Sequence, residues 1–255
     1  MLLAQGGAYM LSLRLRIMKC VVVCMCLHSP WLGASDTLPI PFYDNSRPPL
    51  IISTDKYSGI YAELFTAVLK QADIDFELFP VPAMRKRIMF ENGEMALSCC
   101  SNPAWRNRQK ELQVQLFSLP IYESTDHYIF NSNQIFNIAA PSDLKTRVVG
   151  TVRGFTYPDS EWFGTDIKVQ TEEKLLELLH LGRVEVAIVN KEVAEYYINK
   201  NGWALTIGPE HDKHALHIRV HKQHAALLPS INQAITQTIR SGRRDQIIKR
   251  HLHPD

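Results

Sequence analysis

Beyond residue 35 this 255-residue chain has only two cysteines, Cys99 and Cys100, and no apolar run long enough to cross a membrane as a helix. Two readings of the pair stand. An oxidising compartment allows a strained bond between the neighbours, or they are two small buried residues at a strand end. No histidine lies beside them in sequence to activate a thiol, so a cysteine nucleophile is not expected. Zinc-ligand spacing is also missing: the ten histidines are scattered or sit in polar stretches such as His211-Asp212-Lys213-His214 and His221-Lys222-Gln223-His224. Excess charge of one sign is lacking as well. Of the 28 basic residues, Arg14, Arg16 and Lys19 lie in residues 1–34, which leaves 25 against 26 acidic ones. Such a balance does not hold a phosphate backbone, and no nucleic-acid partner is expected. The chain shows no internal repeat and no low-complexity segment.

What is present begins with an export signal. Arg14, Arg16 and Lys19 lead into the apolar run from Cys20 to Leu27; Pro30 ends it, and Gly33-Ala34-Ser35 supplies small residues for a peptidase. Residues 1–34 therefore read as a signal peptide, with Met18 an alternative start, and the mature protein is expected in the periplasm. Val23 and Met25 precede Cys24 and Cys26, which argues against lipid attachment there. An uncleaved membrane anchor is the competing reading.

The rest, 45% hydrophobic and 21% charged over the whole chain, suits one large domain or two small ones. Strand and helix patterns alternate. Leu38–Tyr43 reads as a strand, Ile60–Gln71 as a helix with Ile60, Leu64 and Val68 on one face, Asp75–Val81 as a strand, and Met84–Glu91 as a helix stopped by Asn92-Gly93. Met95–Cys99 reads as a buried strand, Phe117–Tyr122 as the approach to a strand at His127–Phe130. A second α/β pattern follows: strands at Arg147–Val152, Lys168–Gln170 and Val184–Val189, a helix from a Thr171 cap to Leu181, and another from Lys191 to Ile198. His217–Val220 is a strand, and helices cover Ala226–Ser241 and Arg244–His251. Open α/β sheets with helices on both faces are expected.

The order of these pieces resembles the bacterial extracellular solute-binding proteins of amino-acid importers. Five elements carry the resemblance across residues 36–252: Gly59-Ile60-Tyr61-Ala62-Glu63-Leu64; Gly93-Glu94-Met95 with Arg106 and then Phe117–Tyr122; Asp143 to Gly150 with Gly154; Leu181 to Asn190; and Ile231–Ile235 with Ser241-Gly242. The resemblance implies a two-lobed α/β fold of the type II periplasmic-binding-protein kind with two hinge crossovers. Residues 35–129 plus 219–255 would form lobe 1 and residues 130–218 lobe 2, with Tyr122 in the hinge region and ligand sealed between the lobes by hinge closure.

The same resemblance assigns a ligand site. Arg106 stands where the family places an arginine against the ligand carboxylate, a task that suits a planar guanidinium; the alternative is a surface arginine in a basic stretch. Ser101, Asn102 and Trp105 share its segment. Gly154, Phe155 and Thr156 match a loop that presents N–H groups and a hydroxyl at a helix start. Phe42 and Tyr43 are a ligand wall or core. Arg85 faces the cleft, or a solvated helix face with Lys86 and Arg87. Asn190 departs from the family, which has an aspartate there for the ligand ammonium; an amide accepts a hydrogen bond but forms no ion pair, and Glu192 or Glu185 are possible substitutes.

The expected function is therefore binding: capture of a small polar, carboxylate-bearing molecule for an importer of the ABC class or a membrane receptor, by a monomer with no cofactor, no metal and no catalysis. A sensory or accessory protein without transport is the runner-up. A lytic enzyme on this fold would need an added catalytic domain with an acid, and the chain stops at Asp255, just after the binding fold.

Overall fold

The computed structural model describes residues 37–54 and 56–252; the segment 1–34, expected to be a signal peptide, lies outside them. Among the described residues no helix is long and apolar enough to cross a membrane.

Lobe 1 begins with β1 (Leu38–Tyr43), α1 (Ile60–Gln71), β2 (Phe76–Val81), α2 (Ala83–Glu91) and β3 (Leu97–Ser101). β1 and β2 run parallel, with Tyr43 opposite Val81 at their carboxyl ends. Helix α1 forms where the apolar spacing requires it: Ile60, Leu64 and Val68 are at most 1% exposed, and Phe65 and Leu69 join them. Each such side chain contributes about 1.5–3 kcal/mol by leaving water. Gly59 opens the helix at φ 94°, and a Cβ there would lie 2.7 Å from the Leu50 carbonyl oxygen, so no other residue fits without strain.

A short helix α3 (Gln109–Val114) leads into β4 (Gln115–Asn131). Lobe 2 then holds β5 (Val148–Val152), β6 (Thr165–Val169), α4 (Glu172–His180), β7 (Val186–Asn190) and α5 (Lys191–Asn201). The chain returns along β8 (Leu205–His221) to α6 (Leu228–Arg240) and α7 (Arg243–Leu252). Helices α6 and α7 pack on α1, and α6 also covers β4.

The second sheet has the order β3-β8-β4-β7-β5-β6. Its two central strands have 17 residues each and pair antiparallel from Gln115↔His221 to Asn131↔Leu205. β3 joins this ladder at the Val220 end, and β7 joins it at Asp126–Phe130. Lobe 1 and lobe 2 thus hang from opposite ends of one two-stranded ladder, and β4 and β8 are the two crossovers.

Both strands are longer than the sequence patterns suggested. Residues 205–216 contain Gly208, Pro209 and a run of charged and histidine residues, all poor strand formers. Pairing with β4 extends them nonetheless, at the cost of register shifts near Pro120, Asp126 and His127.

In lobe 2, β5 and β7 run parallel and are buried on both faces. Ala187 and Val189 join the main core, while Val186 and Ile188 join a smaller one with Tyr128, Phe130, Leu144 and Val149. Two-sided burial explains the unbroken apolar run in the sequence. Gly150 lets α4 sit close: a Cβ there would collide with the Leu175 side chain and crowd Val184. Thr171 caps α4 by accepting from Lys174 N–H at 3.2 Å, with Glu172 and Glu173 in the first turn.

Candidate functional site

Open α/β sheets bind ligands beyond the carboxyl ends of their strands. In lobe 1 those ends lead to Tyr43 and Arg47 after β1, to Lys86 after β2, and to Arg106 after β3 and a single 3-10 turn, Pro103–Trp105. In lobe 2 they lead to Gly154-Phe155-Thr156 after β5, to Glu172 after β6, and to Glu192 after β7. The two sets meet at Arg47. Arg47 grips the Glu172 carboxylate with both Nε and Nη2, the latter at 2.7 Å, and its guanidinium lies 5.2 Å from the centre of the Phe155 ring. Burial alone would lower the Arg47 pKa; the Glu172 charge more than reverses that and raises it.

The lobe 1 side is rich in cations. Lys86 is 8% exposed, and its Nζ sits 3.3 Å from the centre of the Tyr43 ring, a close cation–π contact. Among the described residues it has no carboxylate within ion-pair distance. Burial lowers its pKa, Tyr43 opposes that, and Arg106 lowers it further. Burial would raise the Tyr43 phenol, but Lys86, Arg106 and Arg47 together pull it below its ordinary value. Its hydroxyl donates to the Cys99 carbonyl at 3.4 Å.

Arg106 adjoins this group. Its Nη1 donates to the Trp105 carbonyl at 3.2 Å, while its Nε is buried without a hydrogen-bond partner, 3.9 Å from Glu111 Oε1. Burial lowers the Arg106 pKa. Glu111 is fully buried, and the same oxygen also receives Arg87 at 3.2 Å and Arg219 at 3.3 Å. Arg219 is pushed down to about 10, by burial first and then by the neighbouring Arg106. Among the described residues, Arg87, Arg106 and Arg219 therefore converge on one carboxylate, and Lys86 has none in ion-pair range. Buried charge without a partner is costly, so this face favours an anionic guest.

The lobe 2 side carries the acids. Glu192 Oε1 accepts the Tyr122 hydroxyl at 3.0 Å, and its Oε2 is buried with no partner. Tyr122 packs edge-on against Tyr61 at 5.4 Å, and Tyr61 donates to Ser124 at 3.3 Å. Glu185 is committed elsewhere, to Arg147 at 2.9 Å and the Val148 N–H at 2.7 Å.

Several residues expected in the site have other tasks. Phe42 is 0% exposed, stacked on Phe65 at 6.0 Å and edge-on to Tyr57 at 4.9 Å, so it is core. Strand alternation sends its neighbour Tyr43 the other way, towards Lys86. Arg85 is exposed, and Lys86 takes the inward position: α2 starts after Pro82, and its buried face runs through Lys86 and Phe90, four residues apart.

Asn190 is 1% exposed and spends its polar atoms internally. Its Oδ1 caps α5 by accepting from Val193 N–H at 3.1 Å, and its Nδ2 donates to Ser124 at 3.0 Å and to the Thr125 carbonyl at 3.3 Å. Asn102 is likewise used up, accepting from Ala104 N–H at 2.8 Å and donating to the Ala215 carbonyl at 3.0 Å. Ser101 is buried in β3 opposite His217, and Trp105 lies edge-on to His214 at 4.6 Å. No α-helix starts at Gly154-Phe155-Thr156. These residues form an exposed turn, with Gly154 at φ 86° and a 3-10 turn only at Ser160–Trp162. The sulfurs of Cys99 and Cys100, both buried, lie within bonding distance of each other.

Arg47, Lys86 and Glu172 were missed in the sequence. Lys86 had a usable signal, its four-residue spacing to Phe90 after a proline cap. Arg47 and Glu172 had none, because their pairing spans 125 positions.

The comparisons with known proteins agree with this architecture. A ligand-binding core of GluR0 in complex with L-glutamate superposes with TM-score 0.74 at 16% identity, over 87% of this chain and all of that one. The arginine-, lysine-, histidine-binding protein ArtJ from Geobacillus stearothermophilus gives 0.68 at 21% identity, over 84% and 94%. A histidine kinase sensor domain similar to periplasmic binding proteins gives 0.72 at 18%, over 85% and 96%. No curated protein matches the chain. The family model for bacterial extracellular solute-binding proteins, family 3, matches residues 42–254, and the chain belongs to that family.

Proposed function

We propose that this protein captures a small carboxylate-bearing solute, an amino acid or a close relative, between its lobes, and that it does so in the periplasm without chemical change to the ligand. Arg106 carries the reading: a guanidinium whose Nε is buried and unpartnered, beside the carboxylate-free Lys86, where the strands of lobe 1 end. The ligand carboxylate would take two parallel hydrogen bonds from Arg106, with Lys86 adding charge and Tyr43 a flat apolar wall. Phe155 and Thr156 would close over it from the exposed turn of lobe 2. The ligands of structural neighbours, L-glutamate in one case and arginine, lysine and histidine in another, support the amino-acid class.

Delivery to an importer in the membrane is the natural outlet for a binding protein of this family. A sensory role is the second reading, and the histidine kinase sensor domain among the neighbours is the observation that favours it.

The test is a thermal-shift screen of the mature chain against amino acids and organic acids. A ligand at 100 times its dissociation constant adds about 2.7 kcal/mol of stability, which is readily seen. Arg106→Ala is expected to abolish that shift and leave the unliganded protein folded. If the variant responds as the parent does, the carboxylate is held elsewhere.

A further inference from the structure

We propose that Cys99 and Cys100 are a redox modification site: closing the bond between their sulfurs holds a bulge at the end of β3, and opening it reshapes the face that carries Tyr43 and Arg106. This rests on the reading above only for where a guest sits.

Neighbours on a regular strand point to opposite faces, so adjacent cysteines in β3 should not meet. They meet here because β3 is irregular at these two positions. Ser98 pairs with Arg219 and Ser101 with His217, so the same step takes three residues on β3 and two on β8. The extra residue is a β-bulge, and it falls on Cys99-Cys100. Cys100 has φ 67°, a left-handed conformation that glycine adopts freely and cysteine does not. With the sulfurs joined, the pair cannot return to alternate faces, and the bulge is held. With two free thiols that constraint is gone, Cys100 can relax to an extended φ, and the register beyond it changes.

The bulge adjoins the candidate site. The Cys99 carbonyl accepts the Tyr43 hydroxyl at 3.4 Å, and Lys86 sits on the Tyr43 ring. Two residues past Cys100, Asn102 donates to the Ala215 carbonyl at 3.0 Å, and the turn Pro103–Trp105 then delivers Arg106. A register change at Cys100 therefore reaches both Tyr43 and Arg106. Beyond residue 35 the chain has no other cysteine to compete for either sulfur.

The oxidant is an external disulfide, either a small molecule or the active-site pair of an oxidoreductase. One thiolate attacks it, forms a mixed disulfide and releases one thiol. The second thiolate attacks the sulfur of its neighbour and expels the other thiol. Two electrons and two protons leave the pair, and one external disulfide becomes two thiols. Cys99 is 1% exposed and Cys100 4%, so exchange belongs to the chain before folding or to an opened strand end. Burial afterwards shields the bond.

The experiment takes the chain from residue 35 onwards, equilibrated with glutathione disulfide or with dithiothreitol. Alkylation after unfolding counts the thiols by mass, and hydrogen–deuterium exchange reads the backbone. The oxidised protein is expected to take no label and the reduced protein two. Amides of residues 97–106 and 215–220 are expected to exchange about tenfold faster in the reduced protein, with α4 and α5 unchanged. Two labelled cysteines after oxidation, or equal exchange in the two states, would overturn the proposal. Cys99→Ala cannot close the bond, and is expected to exchange like the reduced parent and to ignore dithiothreitol. Exchange like the oxidised parent would count against the proposal; should the variant not fold, the two states of the parent decide. Any guest found in the thermal-shift screen is expected to bind about tenfold more weakly to the reduced protein. A guest held equally in both states would refute the coupling to the site. No guest in either state would sink the capture reading alone, and the exchange result then decides this one.

Discussion

At the scale of single residues, His211 is the most consequential group outside the ligand contacts. Its side chain is 1% exposed and neither ring nitrogen has a hydrogen-bond partner. Asp159 lies 3.6 Å away, Tyr128 and Tyr157 pack on the ring, and Asp126, Asp212 and His214 add their charges. Burial lowers its pKa below the ordinary 6.5, and the three carboxylates only partly oppose this. Burial lowers His221 as well, helped by His224 and Arg219. The unfolded chain therefore holds more protons than the folded one between pH 6.5 and the depressed folded values. Stability is fully present above pH 6.5, falls as the pH drops through that window, and levels off beneath it. The melting temperature of the parent is expected to drop between pH 7 and pH 5, and His211→Phe is expected to flatten that slope. An equal slope in both would show that His211 does not bear the proton. Lys86 teaches a related lesson in reading sequences. The patterns exposed a run of three basic residues, Arg85-Lys86-Arg87, but only the starting point of α2 decides which of them turns inward.

At the scale of elements, the cap of α5 links the helix to the hinge. Asn190 ends β7, starts α5 and binds β4 through Ser124 and Thr125. Asn190→Ala is expected to cost about 1–2 kcal/mol for the cap alone, and more for the two lost donor contacts, in a denaturant titration. Asn190→Asp keeps the cap acceptor and loses the donors, so it should fall between the two. A parent-like midpoint for Asn190→Ala would refute the capping role. Elements whose stability is local were legible beforehand: α1 from its apolar stripe, α4 from Thr171 and its acids, β7 from its unbroken valine-rich run. The crossovers were not. Residues 205–216 have no strand character of their own and become extended only because β4 lies alongside. The turn at Gly154 misled in the opposite sense, since a glycine after a strand suits a helix start and an exposed turn equally well.

At the scale of the whole molecule, the Arg47–Glu172 pair joins the lobes directly. Glu172 is 4% exposed at its side chain, Arg47 is 23% exposed, and the contact is two-pronged. Such a pair favours the closed arrangement and sets how much of the binding energy a ligand must supply for closure. Glu172→Gln is expected to shift the unliganded protein towards open forms, seen as a larger radius of gyration in solution scattering. A loss of about 1.4 kcal/mol would raise the open-to-closed ratio tenfold. An unchanged radius would show that the pair does not govern closure.

The amino-acid sequence alone determined the α/β class and the order of strands and helices. These follow from periodicity, caps and glycine positions, which act over a few residues at a time. Only the tertiary structure decided that Lys86 rather than Arg85 is inside, that Asn190 is consumed by its own helix, and that Glu172 pairs with Arg47. Those facts depend on contacts between segments as many as 125 positions apart, and no local pattern encodes which side chains will meet across such a distance.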